Sequence, residues 1–214
     1  MEDVINNSLS EVYTDVLYQD NSIELSEDEK INKIEFHFEQ IMRTLGLNLN
    51  DDSLSGTPKR VAKMFVKEMF SGLNPDNKPE ITLFENKYGY ENMLVEKDIT
   101  LYSYCEHHFV PIIGKVHVAY IPGRKVMGLS KINRLVQYYA KRPQVQERLT
   151  MQISEALKEV VQHNDVAVII DAEHLCVSSR GIKDTKSTTI TSIYSGKFKN
   201  IIVRDEFLSY LNKR

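Results

Sequence analysis

Apolar positions recur along this chain with two periods, and the change from one to the other divides it into predicted elements. Residues 1–22 are polar, with Val4, Ile5, Leu9, Val12, Val16 and Leu17 at loosely helical spacing, which reads as an arm that packs on a partner or as a frayed terminus. Ser26-Glu27-Asp28-Glu29 is a capping box, and Ile31, Ile34, Phe38, Ile41, Met42 and Leu45 follow as one apolar stripe up to Gly46, which predicts a helix. Thr57-Pro58 opens a second helix with proline at the first helical position. Its inward residues are Val61, Met64, Phe65 and Met69, and Ser71-Gly72 ends it.

From Ile81 to Tyr120 the period moves toward two, and β-branched and aromatic residues dominate. Val95–Tyr104 and Lys115–Ile121 are predicted as neighbouring strands, joined by a loop that includes Pro111 and Gly114. A short strand at Val126-Met127 leads to a helix with Ser130 as N-cap and Ile132, Leu135, Val136 and Tyr139 facing inward, closed by Arg142-Pro143. The next helix is predicted over Val145–His163, burying Leu149, Ile153, Leu157 and Val160. Val166–Asp171 is almost continuously apolar, the mark of a strand covered on both sides, and it runs on to His174 and Cys176. A further strand over Thr185–Ile193 and a helix over Arg204–Leu211 complete an α+β chain. It is expected to form one domain over 25–214 behind an extension over 1–24.

Composition narrows the partners. At 214 residues, a net charge of -3 and a pI near 6.1, the chain has no general field for nucleic acid, so anion binding must be local. No apolar run approaches the roughly 18 residues of a membrane span, and no signal-peptide core is present, so a cytoplasmic location with reduced thiols is expected.

The chemistry concentrates in Ser103–Pro111, which holds one of two cysteines and two of six histidines. Cys105 and His108 are spaced so that one turn of chain brings a thiolate and an imidazole to the same ion. The other reading is an inert buried cysteine beside surface histidines. Cys176 is the remaining thiol, and on a strand it would face the same way as His174. Three soft ligands leave one position open, as in a catalytic zinc centre. A fourth ligand from His107 or His117 would instead close it into a structural or storage site. Arg60 and Lys63 lie three apart on a helix, either as a solvated basic face or as an anion contact. Ser130, Lys131 and Arg134 put a hydroxyl and two cations at a helix start, against the dipole, where phosphate or solvent would face them. Glu147, also at a helix start, is explained by the dipole unless a ligand needs it.

Taken together these segments resemble GTP cyclohydrolase I over about residues 25–210. The matching stretches are Thr57-Pro58-Lys59-Arg60-Val61-Ala62-Lys63, Cys105-Glu106-His107-His108-Phe109, His117-Val118-Ala119-Tyr120-Ile121-Pro122, Gly128-Leu129-Ser130-Lys131-Ile132-Asn133-Arg134, Arg142-Pro143-Gln144-Val145-Gln146-Glu147-Arg148-Leu149-Thr150, and His174-Leu175-Cys176 with Arg180-Gly181. The resemblance implies a tunnelling fold, an antiparallel sheet with helices on one face, whose subunits assemble into a barrel, usually a decamer of two pentamers. It implies hydrolytic opening of GTP to 7,8-dihydroneopterin triphosphate and formate, at the entry to tetrahydrofolate and other pterins. Zn2+ would be held by Cys105, His108 and Cys176. His107, His174 and Ser130 would be catalytic, the histidines moving protons and the serine standing near the sugar. Glu147 would read guanine with Gln146 beside it. Ser130, Lys131, Arg134 and Arg180 would hold the triphosphate from the main subunit, and Arg60 and Lys63 would reach it from a neighbour. Two rival readings are a different tunnelling-fold enzyme of purine or pterin metabolism, such as the nitrile-reducing enzyme of deazapurine metabolism, and a non-enzymatic zinc module.

Overall fold

A computed structural model describes residues 25–212, which fall into two compact units, one ending at Leu73 and the other beginning at Asn74. The arm expected over residues 1–24 lies outside the described residues.

The first unit is a pair of helices. Helix α1 (Glu27–Thr44) starts where the capping box predicts: Ser26 Oγ accepts from Glu29 N, and the Glu29 carboxylate accepts from Ser26 N. It ends at Gly46, whose φ of +78° suits glycine. Helix α2 (Thr57–Met64) runs on through a π-helical turn, Phe65–Met69, closed by Phe70 N donating to Phe65 O. The apolar stripe of α1 is only partly covered. Ile31 and Met42 are buried, whereas Ile41 and Leu45, expected inside, are exposed because the short α2 shields one side only.

The second unit is built on a five-stranded sheet. Strands β2 (Leu94–Cys105), β3 (Pro111–Tyr120), β6 (Val166–His174) and β7 (Thr189–Tyr194) pair antiparallel in that order. The expected antiparallel sheet therefore needs one amendment: the two-residue β5 (Pro143–Gln144) joins the β2 edge in parallel, which makes the sheet mixed. Strands β1 (Leu83–Glu85) and β4 (Lys125–Met127) form a separate antiparallel pair. Helices α3 (Leu129–Ala140) and α4 (Gln146–Val161) bury Ile132, Leu135, Val136, Leu149, Ile153 and Leu157 with Leu101, Val116, Val118, Val168 and Ile170. Helix α6 (Ile201–Leu211), capped by Asn200 Oδ1 accepting from Ile202 N, buries Phe207 in a second cluster with Phe198, Ala119, Ala167 and Ile169. Both sides of β6 are thus covered, as its apolar run requires, so helices pack on both faces of the sheet and not on one face as expected.

Two strand expectations shift at the hairpin. Pro111 and Gly114 belong to β3, not to the loop, and the connection is only Glu106–Val110. Gly114 pairs with Ala172, and a Cβ there would stand 2.1 Å from Asp171 O, so close approach of β6 demands glycine.

Strand direction decides which residues share an end of the sheet. β2 rises to Cys105, β3 returns, and α3 starts at the opposite end and runs back beside β2. Its side chains and last carbonyl mark the path: Asn133 Nδ2 donates to Glu96 Oε1, Gln137 Nε2 to Thr100 O, and Ala140 O accepts from Ser103 Oγ. α4 then begins, and β6 finishes, at the Cys105 end. Among the described residues no helix is long and apolar enough to cross a membrane.

Candidate metal centre

The hairpin after β2 is held by its own backbone. Cys105 N donates to Val110 O, and Cys105 O accepts from Phe109 N at 2.8 Å and His108 N at 3.3 Å, with Phe109 at φ +54°. This tight loop folds His108 back over the buried Cys105. β6 ends beside it, and the chain turns at once into the one-turn helix α5 (Leu175–Ser178), where Ser179 N and Oγ both donate to Leu175 O. Cys176 therefore sits on a helical turn, not on the strand expected to carry it. The turn, more than a shared strand face, brings its thiol to Cys105.

The donor atoms of Cys105, His108 and Cys176 all lie within 4.8 Å of one another, and Cys105 Sγ is 3.9 Å from His108 Nδ1. Around a tetrahedral zinc with ordinary bond lengths such donors would be about 3.5–3.8 Å apart, so the set fits with a small inward movement. Its chemistry fits as well. Burial first, then the neighbouring Cys105 thiol, push the Cys176 thiol up from its ordinary range, while Arg180 pulls slightly the other way. A divalent cation beside the Cys176 sulfur would offset what burial and its neighbour oppose. Cys105 is buried, Cys176 half-buried and His108 exposed, so the group opens to solvent on the histidine side.

Of the two residues considered as a fourth ligand, His117 is excluded by position. It lies along β3, where its Nδ1 accepts from Asp98 N at 3.1 Å, and burial lowers its pKa against the opposing pull of Asp98. His107 stands outside the convergent set, although its Nδ1 is 3.7 Å from Cys105 Sγ and its Nε2 is 3.8 Å from Glu106 Oε1.

The same end of the sheet gathers His174, Gln146, Glu147 and Arg180. His174 Nε2 is 2.8 Å from Gln146 Oε1. Burial lowers the His174 pKa, and the Glu147 carboxylate, close enough to be felt, partly raises it again. Glu147 is exposed on the first turn of α4, and Arg180 is exposed after α5.

Ser130, Lys131 and Arg134 are elsewhere. Helix α3 begins at Leu129 with Gly128 as its N-cap, because Lys131 N already donates to Gly128 O; Ser130 is thus inside the first turn and makes no capping bond. The α3 start lies beside the beginning of β2, and Glu96 to Cys105 along that strand spans roughly 30 Å at ordinary strand rise. Within this chain they therefore stand apart from Cys105, His108 and Cys176. Arg60 and Lys63 are exposed on α2 in the first unit, where the Arg60 guanidinium donates to Ser53 O and Thr57 Oγ1, both at 2.8 Å.

A supporting network that residue spacing does not announce underlies the hairpin. Arg148, only 7% exposed, donates through Nε to Gln144 Oε1 and through Nη2 to both Pro143 O and Glu106 Oε2. Gln144 N–H groups reach Tyr139 O and Gln152 Oε1 in turn. A buried arginine neutralised by the carboxylate next to two histidines fixes the base of the hairpin. The signal was available in the sequence as a charged residue on the inward side of α4, beside Leu149.

Comparison with known proteins points in one direction. The sequence model for GTP cyclohydrolase I matches residues 34–212. A GTP cyclohydrolase 1 of Flavobacterium johnsoniae is 58% identical over 193 residues, 90% of this chain and 86% of that protein. Proteins of the same name from Yersinia enterocolitica and Vibrio vulnificus are each 54% identical over 186 residues, 86% of this chain, covering 84% and 86% of their own lengths.

Proposed function

The chain belongs to the GTP cyclohydrolase I family, and on that premise we propose that it is a zinc-dependent enzyme converting GTP and water to 7,8-dihydroneopterin triphosphate and formate. The observation that carries this reading is the convergence of Cys105, His108 and Cys176 next to His174 and Glu147. When bound, zinc would supply the Lewis acidity that brings a coordinated water toward ionisation near neutral pH, about 7 in the best-suited sites.

The remaining work falls to side chains. Glu147 accepts from guanine N1–H and its exocyclic amine, a pair of donors that adenine does not offer. His107 and His174 exchange protons with the imidazole portion of the purine, which becomes electrophilic at C8 once N7 is protonated. Water adds at C8, the five-membered ring opens, and a second water releases C8 as formate. The ribose then rearranges in the Amadori sense and closes on the freed amine with loss of water, with Ser130 near the sugar.

Arg180 contacts the triphosphate from the metal-bearing subunit. Ser130, Lys131 and Arg134, at the other end of the sheet, serve the site of a neighbouring subunit, and Arg60 and Lys63 reach a triphosphate in the same way. Such sharing agrees with a tunnelling-fold barrel assembled as two pentamers, with residues 25–214 as the catalytic domain, working in the cytoplasm at the entry to tetrahydrofolate and other pterins. Purified protein incubated with GTP is expected to release formate and develop pterin absorbance. A chelator should abolish both, and added zinc should restore them. Absence of pterin from the zinc-loaded protein would end this reading, and undiminished turnover without metal would end its zinc dependence.

A further inference from the structure

Gln146 is 1% exposed, and its amide is fully engaged inside the chain. Nε2 lies 2.8 Å from Thr189 O and 3.1 Å from both Ile170 O and Thr191 Oγ1. Main-chain carbonyls only accept hydrogen bonds, so the NH2 must face them and the oxygen must face His174; the reversed amide would set oxygen against oxygen. The neighbouring hydroxyls agree. Thr150 Oγ1 donates to Gln146 O at 2.8 Å, so in its 2.6 Å contact with Thr191 Oγ1 it accepts the threonine proton. The Thr191 lone pairs are then left for the Gln146 amide. Donor and acceptor roles are fixed around a closed circuit, from the Gln146 amide through Thr191 and Thr150 to the carbonyl of Gln146 itself.

The consequence falls on His174. Its Nε2 lies 2.8 Å from an oxygen that can only accept, so Nε2 bears the hydrogen. In a neutral imidazole the lone pair is then on Nδ1. We propose that Gln146 is a positioning residue that locks His174 as the Nε2–H tautomer, so that Nδ1 is the atom exchanging a proton with the bound purine. The purine half of this statement rests on the cyclohydrolase reading; the tautomer does not. It also sets Gln146 apart from the residues that touch substrate, since its amide hydrogens and oxygen are already committed within the chain.

The test uses zinc-loaded full-length protein labelled with 15N-histidine, the His174 signals being identified by their loss in His174→Asn. The expected spectrum has a protonated Nε2 and a bare Nδ1. Gln146→Leu should mix the two tautomers and lower kcat about 100-fold, the lower end of what general acid-base groups contribute, with KM for GTP within about threefold. Thr191→Val, which leaves Gln146 in place, should move both readouts in the same direction to a smaller extent, and Thr191→Ser should recover most of that loss. A protonated Nδ1 in the unsubstituted protein would overturn the proposal, as would a Gln146→Leu enzyme with raised KM and unchanged kcat. The 15N result decides the lock even in a protein that releases no formate, an outcome that would tell against the cyclohydrolase reading alone.

Discussion

Cys176→Ser is expected to lose metal and activity together. A serine hydroxyl is not ionised at neutral pH and is a harder donor than a thiolate, so the cluster would keep one sulfur and one imidazole for an ion that favours both. Loss of a group that merely supports a ligand lowers affinity about 10- to 100-fold, and loss of a ligand should exceed that. With the Lewis acid gone, several kcal/mol of transition-state stabilisation go with it, on the order of 10³-fold or more in kcat. Metal content measured on the dialysed variant, alongside formate release, checks both halves. A metal-free Cys176→Ser protein with normal turnover would remove Cys176 from the ligand set. The protein should stay folded, because Cys176 is only half-buried on a single turn held by Ser179 and Leu175.

Glu147→Ala should separate the two functions that Cys176→Ser removes together. Glu147 is exposed on α4 and is no member of the converging donor group, so zinc content should be unchanged. Its carboxylate is read as the acceptor of two guanine donors, and charged hydrogen bonds of this kind contribute enough that losing both should lower kcat/KM for GTP about 10²- to 10⁴-fold. Isothermal titration with GTP should show the same loss of affinity. Retained GTP affinity in the alanine variant would mean that the base is recognised elsewhere. His174 offers a second check, since Glu147 raises its pKa. Without the carboxylate the ring should become still harder to protonate.

Much of the fold was legible because local signals agreed. The α1 capping box, proline at the start of α2, the period-two run of β2 and β3, and the apolar run of β6 each predicted an element that is present. What escaped was long-range. Nothing in a two-residue segment announces that Pro143-Gln144 will join the edge of β2, and the outward placement of Ile41 and Leu45 depends on how little of α1 the short α2 covers. Gly114 reads as a loop residue by type, which makes the hairpin look too long, whereas its lack of a Cβ serves the packing of β3 against β6.

The candidate site shows the same division. Its residue types were readable from sparse cysteines and histidines, but the device joining them was not: a helical turn at Leu175 carries Cys176. Ser130, Lys131 and Arg134 lie at the far end of β2 because β3 ends there and the short β4 leads straight into α3. The engagement of Gln146 depends on Thr150, Ile170, Thr189 and Thr191, whose approach no spacing rule predicts.

Zinc K-edge X-ray absorption on the purified protein tests the central claim most directly, because sulfur is readily told from lighter scatterers. The predicted first shell holds two sulfurs at about 2.3 Å and two nitrogen or oxygen atoms near 2.0–2.1 Å for each zinc. A shell with one sulfur or none would show that Cys105 and Cys176 do not share an ion, and would contradict the account.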